Sequence, residues 1–329
     1  MNVNGVDADL AEWPELKGSH GWDALLVGNG ASCAVSARFR YHALYEEACR
    51  QPNPLVPVGA QAVFQEFQTQ NFETVLRSIS TTRRVNACLN LTEEATQTTY
   101  ETVRDGLIAA VNAKHIPWST FIAVRAQIHG ELLRYNWVFS TNYDLLVYWA
   151  IMFDKTDFRD YFWPSPFDLT NTEVWGKATR ILFLHGGLHL EMRNDGGTYK
   201  RTADLGDLLS TFGGSTSAFP LFVSEGSWQD KMRAIRASDY LSFAYSKLAE
   251  HEGPLVIFGH ALSDVEDGHI VRAVAASKSD PIAVSVFATD PDAVITRKAE
   301  LRHRLPYKQL LFFRSSSHPL GNPSLLVDP

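Results

Sequence analysis

Two polar side chains, Asn142 and Asp144, stand at the end of an apolar run, Trp137-Val-Phe-Ser-Thr-Asn-Tyr-Asp144. A strand that delivers an amide and a carboxylate at its carboxyl end puts them where open α/β sheets keep their ligands. The same construction recurs as Ala24-Leu-Leu-Val-Gly-Asn-Gly-Ala-Ser32, Ile181-Leu-Phe-Leu-His-Gly186 and Leu255-Val-Ile-Phe-Gly-His-Ala-Leu-Ser-Asp264, so four strand tips are expected to converge on one cleft. Asn142 can both donate and accept hydrogen bonds, which suits a sugar hydroxyl, an amide or an attacking water, whereas ionised Asp144 only accepts. Both would stabilise positive charge that develops during bond breaking. Capping of the next helix is the competing role for this pair.

His185 follows four apolar residues and precedes two glycines. It is expected at the end of a buried strand with open space beside it, where a neutral imidazole acts as a general base near pH 7; a purely structural histidine is the alternative. Gly28 and Gly30 would let backbone approach a diphosphate, with Asn29, Ser32 and the start of the following helix offering donors, unless the loop is only a tight strand-to-helix turn. Gly259, Ser263 and Asp264 form another such turn, read either as a cofactor contact or as plain turn formation. Asp290 would bind an adenine ribose or cap the helix starting near Pro291. His185 and His189 are four apart, but a strand-like context with Gly186-Gly187 between them does not put both on one helix face, and no metal is expected.

Six aliphatic or β-branched runs read as buried strands, near 23–27, 136–140, 180–184, 254–258, 281–287 and 309–313. Helical patterns separate most of them, which predicts an α/β fold: a doubly wound, mostly parallel Rossmann-like sheet. Apolar-periodic stretches at 33–50, 58–80, 93–113 and 118–134 fill the gap between the first two strands. In Val63, Phe64, Phe67, Phe72, Val75, Leu76 and Ile79 the spacing approximates one helical face, read as core packing. Residues 51–135 are therefore expected as a helical insertion over the cleft. The turn-rich 191–220 is expected to be a hairpin or mobile flap, and Ser227 to His251 to be helical. The expected organisation is a lead over 1–22, one domain over 23–313 and a loop-like tail over 314–329.

The chain has 329 residues, a net charge of −7 and no basic tract, which excludes a phosphate-tracking nucleic-acid surface as its main function. Its polar amino terminus lacks the blocks of a secretory signal, and no apolar run approaches a membrane span, so a cytoplasmic location away from membranes is expected. Cys33, Cys49 and Cys88 are too few and scattered for a disulfide framework or a four-thiolate zinc site. Only two of the three Rossmann glycines are present, Cys33 stands in place of the third, and no acidic residue marks the second strand tip. A hydride-transfer dehydrogenase is thereby disfavoured. Neither a P-loop nor a nucleophile elbow occurs, and Ser224-Glu-Gly-Ser227 lacks the spacing of the latter.

Taken together, Gly28-Asn-Gly-Ala-Ser32, Asn142-Tyr-Asp144, His185-Gly186 and Gly259-His-Ala-Leu262 resemble, in order and rough spacing, the motifs of the sirtuin superfamily of NAD-consuming proteins. The nearest resemblance is to bacterial sirtuin-like proteins grouped as a domain of unknown function, to which Phe222-Val-Ser-Glu-Gly-Ser227 and Asp239-Tyr-Leu241 are also similar. The resemblance spans most of 23–313. It implies an NAD glycohydrolase that yields nicotinamide and an ADP-ribose product, linear or cyclic, in antiphage defence. Asn142 would position ribose or water, His185 would act as base, and Asp144 would fix the nicotinamide or ribose side. Gly28, Asn29, Gly30, Ser32, Phe39, Arg40, Gly259, Ser263, Asp264 and Asp290 would hold the cofactor, and Glu225 would line the cleft unless it caps a helix. Phe39 and Arg40 match the end of a sirtuin segment in which Arg38 replaces an aspartate that helps hold nicotinamide. The two Cys-X-X-Cys pairs of the deacylase zinc module are missing. An NAD or ADP-ribose sensor without turnover and an ADP-ribosyl or acyl-group transferase are the rival readings. A second copy of the chain or a defence partner protein remains open as a partner.

Overall fold

Ala24–Val27 and Leu255–Phe258 are buried at every position, and a strand with no polar face has to be covered on both sides. The computed structural model describes residues 7–39, 44–50, 54–70, 72–162, 166–173, 178–193, 196–201, 218–223, 227–287 and 290–327. Its strands are β1 (Ala24–Val27), β2 (Trp137–Ser140), β3 (Phe158–Arg159), β4 (Thr179–Phe183), β5 (Gly186–Arg193), β6 (Thr198–Lys200), β7 (Ala218–Phe222), β8 (Leu255–Phe258), β9 (Ile282–Val286) and β10 (Leu310–Arg314). Seven of them form one sheet in the order β10-β9-β8-β1-β2-β4-β3, with every pairing parallel. The chain starts in the middle of this sheet, builds outward through β2 to β4, and crosses back to β8. The order therefore reverses between β1 and β8, the place where doubly wound sheets open a crevice for ligands.

The helices are α1 (Trp13–Leu16), α2 (Asn29–Val35), α3 (Leu44–Ala48), α4 (Val58–Glu66), α5 (Phe72–Cys88), α6 (Glu94–Lys114), α7 (Trp118–Phe121), α8 (Arg125–Leu132), α9 (Leu146–Ile151), α10 (Trp228–Arg236), α11 (Asp239–Ala249), α12 (Gly268–Ala276) and α13 (Pro291–Arg304). All six expected parallel strands are present, joined by the two-residue β3. Helical boundaries differ more. The stretch at 58–80 is two helices, because the chain turns at Gln68 with φ +48°; Phe64, Phe72, Val75, Leu76 and Ile79 still pack in the core, while Phe67 is 48% exposed. The expected helix at 33–50 begins instead at Asn29. Ser227 to His251 breaks at Ser238, whose hydroxyl caps α11 by accepting from the Leu241 amide.

Of the turn-rich 191–220, the described residues form an antiparallel sheet, β6-β5-β7, with Glu191 opposite Tyr199 in the β5–β6 pair; residues 202–217 lie outside the described residues. The loop-like tail is a series of 3₁₀ turns held down by Leu320 and Leu325, and the Val327 amide donates to the Val35 carbonyl of α2. No helix among the described residues is long and apolar enough to cross a membrane.

One backbone position shows how the sheet hands the chain to the site. After β4 the chain passes His185 and turns at Gly186, φ +71°, into β5. A Cβ there would lie 2.1 Å from the Leu221 carbonyl oxygen of β7, a contact that no small shift relieves. Gly186→Ala is expected to cost about 3 kcal/mol or more through backbone strain and overpacking. A urea titration showing less than about 1 kcal/mol would mean that β7 yields freely at this point.

Candidate functional site

The glycine loop after β1 faces the turn after β8 across the reversal point. The Gly28 amide donates to the Phe258 carbonyl at 2.9 Å and the Gly30 amide to the Gly259 carbonyl at 2.8 Å. A Cβ on Gly28 would meet the His260 Cα at 2.6 Å, and one on Gly30 the Gly259 Cα at 2.6 Å. Both glycines are thus required by the approach of two loops. Gly259 itself has φ +66°. Asn29 does not point a donor outward: its Nδ2 donates to the Phe39 carbonyl at 3.0 Å. Phe39 in turn sets its ring edge-on to His115 at 5.4 Å. Arg40 and Glu225 lie outside the described residues.

Beneath that loop runs a buried polar chain. Asn142 Nδ2 donates to the Gly28 carbonyl at 3.2 Å and to Ser32 Oγ at 2.8 Å. Ser32 Oγ donates onward to Asp144 Oδ2 at 2.5 Å, and Asp144 Oδ1 accepts from the Leu146 amide at 2.9 Å. Both hydrogens of the Asn142 amide are therefore committed, which fixes the group and leaves Oδ1 without a partner among the described residues. Asp144 thus accepts from the first residue of α9, one position ahead of the helix's own N-cap, Leu145, so it supports the helix start without being the capping residue expected for it. Burial pushes its pKa up. His115, which sequence reasoning passed over, borders this chain: Nε2 accepts from the Leu145 amide at 3.0 Å and Nδ1 donates to the Ile116 carbonyl at 2.8 Å. Burial lowers its pKa, in keeping with a neutral ring. A cavity of about 20 Å³ is lined by Ser32 and Asn142 together with Leu132, Leu320 and Leu325, with room for one water.

His185 is not beside open space. It is 4% exposed, and its Nε2 lies 2.7 Å from Nε2 of His269 at the start of α12. Asp267, one residue before α12, accepts from Lys231 Nζ of α10 at 2.9 Å, and His260 Nε2 stands 3.8 Å from its other oxygen. Burial drives the His185 pKa well below its ordinary value, with His269 and Lys231 adding to the effect. Burial likewise lowers His260, and takes His269 to about 4. Burial alone would raise Asp267, yet His260, His185 and Lys231 together hold it below the carboxylate range. The result is one ion pair, Lys231 with Asp267, ringed by three buried imidazoles.

The two clusters join through Gly28: its carbonyl takes Asn142, and its Cα packs on His260. Gly28, Gly30, Ser32, Asn142, Asp144, His185 and Gly259 are thereby brought into one connected group. Three other expected residues are occupied elsewhere. Ser263 Oγ accepts from the Glu266 amide at 3.3 Å, Asp264 pairs with Arg304 at 2.8 Å, and Asp290 caps α13 through the Ala293 amide at 2.9 Å. Asp290 therefore takes the capping role of its two expected ones. Lys231, Asp267 and His269 went unnoticed in the sequence; the only local signal is Asp267-Gly-His269 shortly after a strand-tip turn.

Two solved structures are similar at low identity. One, described as the structural basis for the mechanism and regulation of Sir2 enzymes, is 10% identical, covers 94% of this chain and 93% of its own, and has a TM-score of 0.39. The other, a mutant Sir2 protein with a p53 peptide and NAD, is 9% identical, with coverages of 88% and 96% and a TM-score of 0.35. No curated protein matches the sequence. The family model described as a domain of unknown function, DUF4917, matches residues 25–319, and the chain belongs to that family.

Proposed function

We propose that the carboxyl edge of the parallel sheet binds NAD and hydrolyses its nicotinamide–ribose bond, releasing nicotinamide, ADP-ribose and a proton. The observation that carries this reading is the fixed Asn142 amide, with a free Oδ1, at the tip of β2 and bonded to the Gly28 loop that borders the reversal point. As the bond breaks, the ribose gains oxocarbenium character, and a fixed amide oxygen stabilises that charge more than it stabilises the ground state. Asp144 reinforces the field through Ser32. The neutral His185–His269 pair accepts the proton that the attacking water gives up. The motif resemblance supports NAD as the dinucleotide, and by the same route we place the activity in antiphage defence, where turnover would deplete the cell's NAD.

Incubating the purified chain with NAD and following nicotinamide by chromatography tests the reading directly. Release that grows with time is expected, together with a rise in melting temperature, since a ligand at 100 times its Kd adds about 2.7 kcal/mol. Absence of any NAD-dependent stabilisation would remove it. Two features favour a second reading, a sensor that binds without turnover: His185 is buried, and the Gly30 amide is already spent on Gly259. Saturable binding with no nicotinamide released would establish that alternative.

A further inference from the structure

Where β4, the turn after β8 and the start of α12 meet, a ring nitrogen of His185, a ring nitrogen of His269 and a carboxylate oxygen of Asp267 all lie within 4.8 Å of one another. We propose that these three side chains form a regulatory site for a divalent first-row metal, with zinc the best fit, and that its occupancy silences the chemistry of His185. The metal site stands on these residues alone; only the silencing rests on the NAD hydrolysis proposed above.

Two imidazoles and one carboxylate are a donor set suited to zinc and its neighbours, with further positions left to water. The two Nε2 atoms already face each other at 2.7 Å. Zinc binds imidazole nitrogen at about 2.0–2.1 Å, which separates two such ligands by roughly 3.0–3.4 Å. The rings therefore have to part by only a few tenths of an ångström. His269 Nδ1 is buried with no hydrogen-bond partner among the described residues, so no second bond pins that ring to one tautomer. When the metal enters, the hydrogen held between the rings is exchanged to an Nδ1, both Nε2 lone pairs turn to the metal, and the pair loses no net proton.

Asp267 is placed to complete the set. Lys231 engages its Oδ1 at 2.9 Å, while its Oδ2 is 3.8 Å from His260 Nε2, too far for a hydrogen bond. One oxygen is thus available. Asp267 is also the most exposed of the three, its side chain 16% accessible, and supplies the way in. The Lys231 ammonium adds a positive charge beside the incoming cation. That charge weakens binding and makes the site reversible, in contrast to a closed structural zinc centre. A metal held by His185 leaves no imidazole free to accept the proton from water.

Equilibrium dialysis of the full chain against micromolar zinc, with elemental analysis, tests the site without any substrate. One zinc per chain beyond that retained by His269→Gln is expected, and cobalt should give a visible d–d band that is absent from the variant. Asp267→Asn provides a second comparison, and melting curves of both variants identify any that do not fold. Equal metal in wild type and the folded variants, or no cobalt band, overturns the proposal. Nicotinamide release forms a separate arm: turnover by chelated protein that zinc abolishes supports silencing. Zinc bound with no turnover even after chelation sinks the hydrolase reading and leaves the metal site standing, whereas undiminished turnover with zinc bound overturns the silencing.

Discussion

Asn142→Ala is expected to lower nicotinamide release by about 100-fold or more, with NAD binding retained. The amide oxygen is oriented by two donated hydrogen bonds, to Gly28 and Ser32. Its removal takes away an interaction that strengthens as the ribose becomes cationic, and losing one such preorganised dipole costs about 10² to 10³ in turnover. His185→Ala should act as strongly, since a positioned acid–base group contributes about 10² to 10⁴. The two substitutions differ in their cost to the fold. Alanine at 142 leaves the Gly28 carbonyl and Ser32 hydroxyl with one partner fewer, about 1–3 kcal/mol, and alanine at 185 opens a void against His269. Melting temperature and NAD affinity should therefore be recorded beside the rate. Wild-type turnover in both folded variants would show that the chemistry resides elsewhere, and growth arrest on expression, where the wild type causes it, should disappear with turnover.

The parallel sheet was legible because its strands are short and apolar throughout, and such runs survive in sequence as blocks. Asn142, Ser32 and Asp144 were legible for the same reason: each closely follows a strand whose end is unmistakable. His269 and Lys231 were not. They enter the site from helices α12 and α10, where a buried lysine or histidine has the same local pattern as a solvated one, and only the packing of those two helices on each other beside His185 shows which it is. His115 was hidden likewise, arriving from the end of α6 through contacts with Leu145 and Ile116. The glycines carried a different ambiguity. Gly28, Gly30 and Gly259 read as a cradle for phosphate, yet each is demanded by the other loop, with Cβ clashes of 2.6 to 2.7 Å. Sequence reveals that backbone must come close there, but not what approaches it. Phe67 left the apolar stripe because the helix breaks after Glu66, and a break set by a left-handed Gln68 has no glycine or proline to announce it.

Stability should fall steeply as pH drops from about 6 to 4.5, driven by histidines that are buried without charge. Burial takes His189 to about 3, His318 to about 3 and His269 to about 4, against an ordinary value of 6.5. A histidine whose pKa is depressed by folding binds its proton more readily in the unfolded chain. Its contribution is therefore complete above about pH 6.5 and is lost as pH falls toward the folded value. At pH 5 each of the three has lost about 2 kcal/mol, roughly 6 in all, against a total stability of about 5–15 kcal/mol for an ordinary domain. Glu131 works in the opposite direction. Burial raises it to about 7 from 4.5, so its penalty is present above pH 7 and is relieved by acid, offsetting about 2 to 3 kcal/mol of the loss. His185 and His260 are lowered as well, so the histidines prevail. His189 isolates the effect, because neither of its ring nitrogens has a partner among the described residues and its ring lies stacked on Tyr148 at 4.5 Å. His189→Phe keeps the stack and removes the titrating group. Urea denaturation should show the variant gaining about 2 kcal/mol over wild type at pH 5 relative to its difference at pH 7.5. A difference that stays the same at both pH values would mean that His189 takes up its proton as readily in the folded chain as in the unfolded one, and that burial does not govern the acid limb.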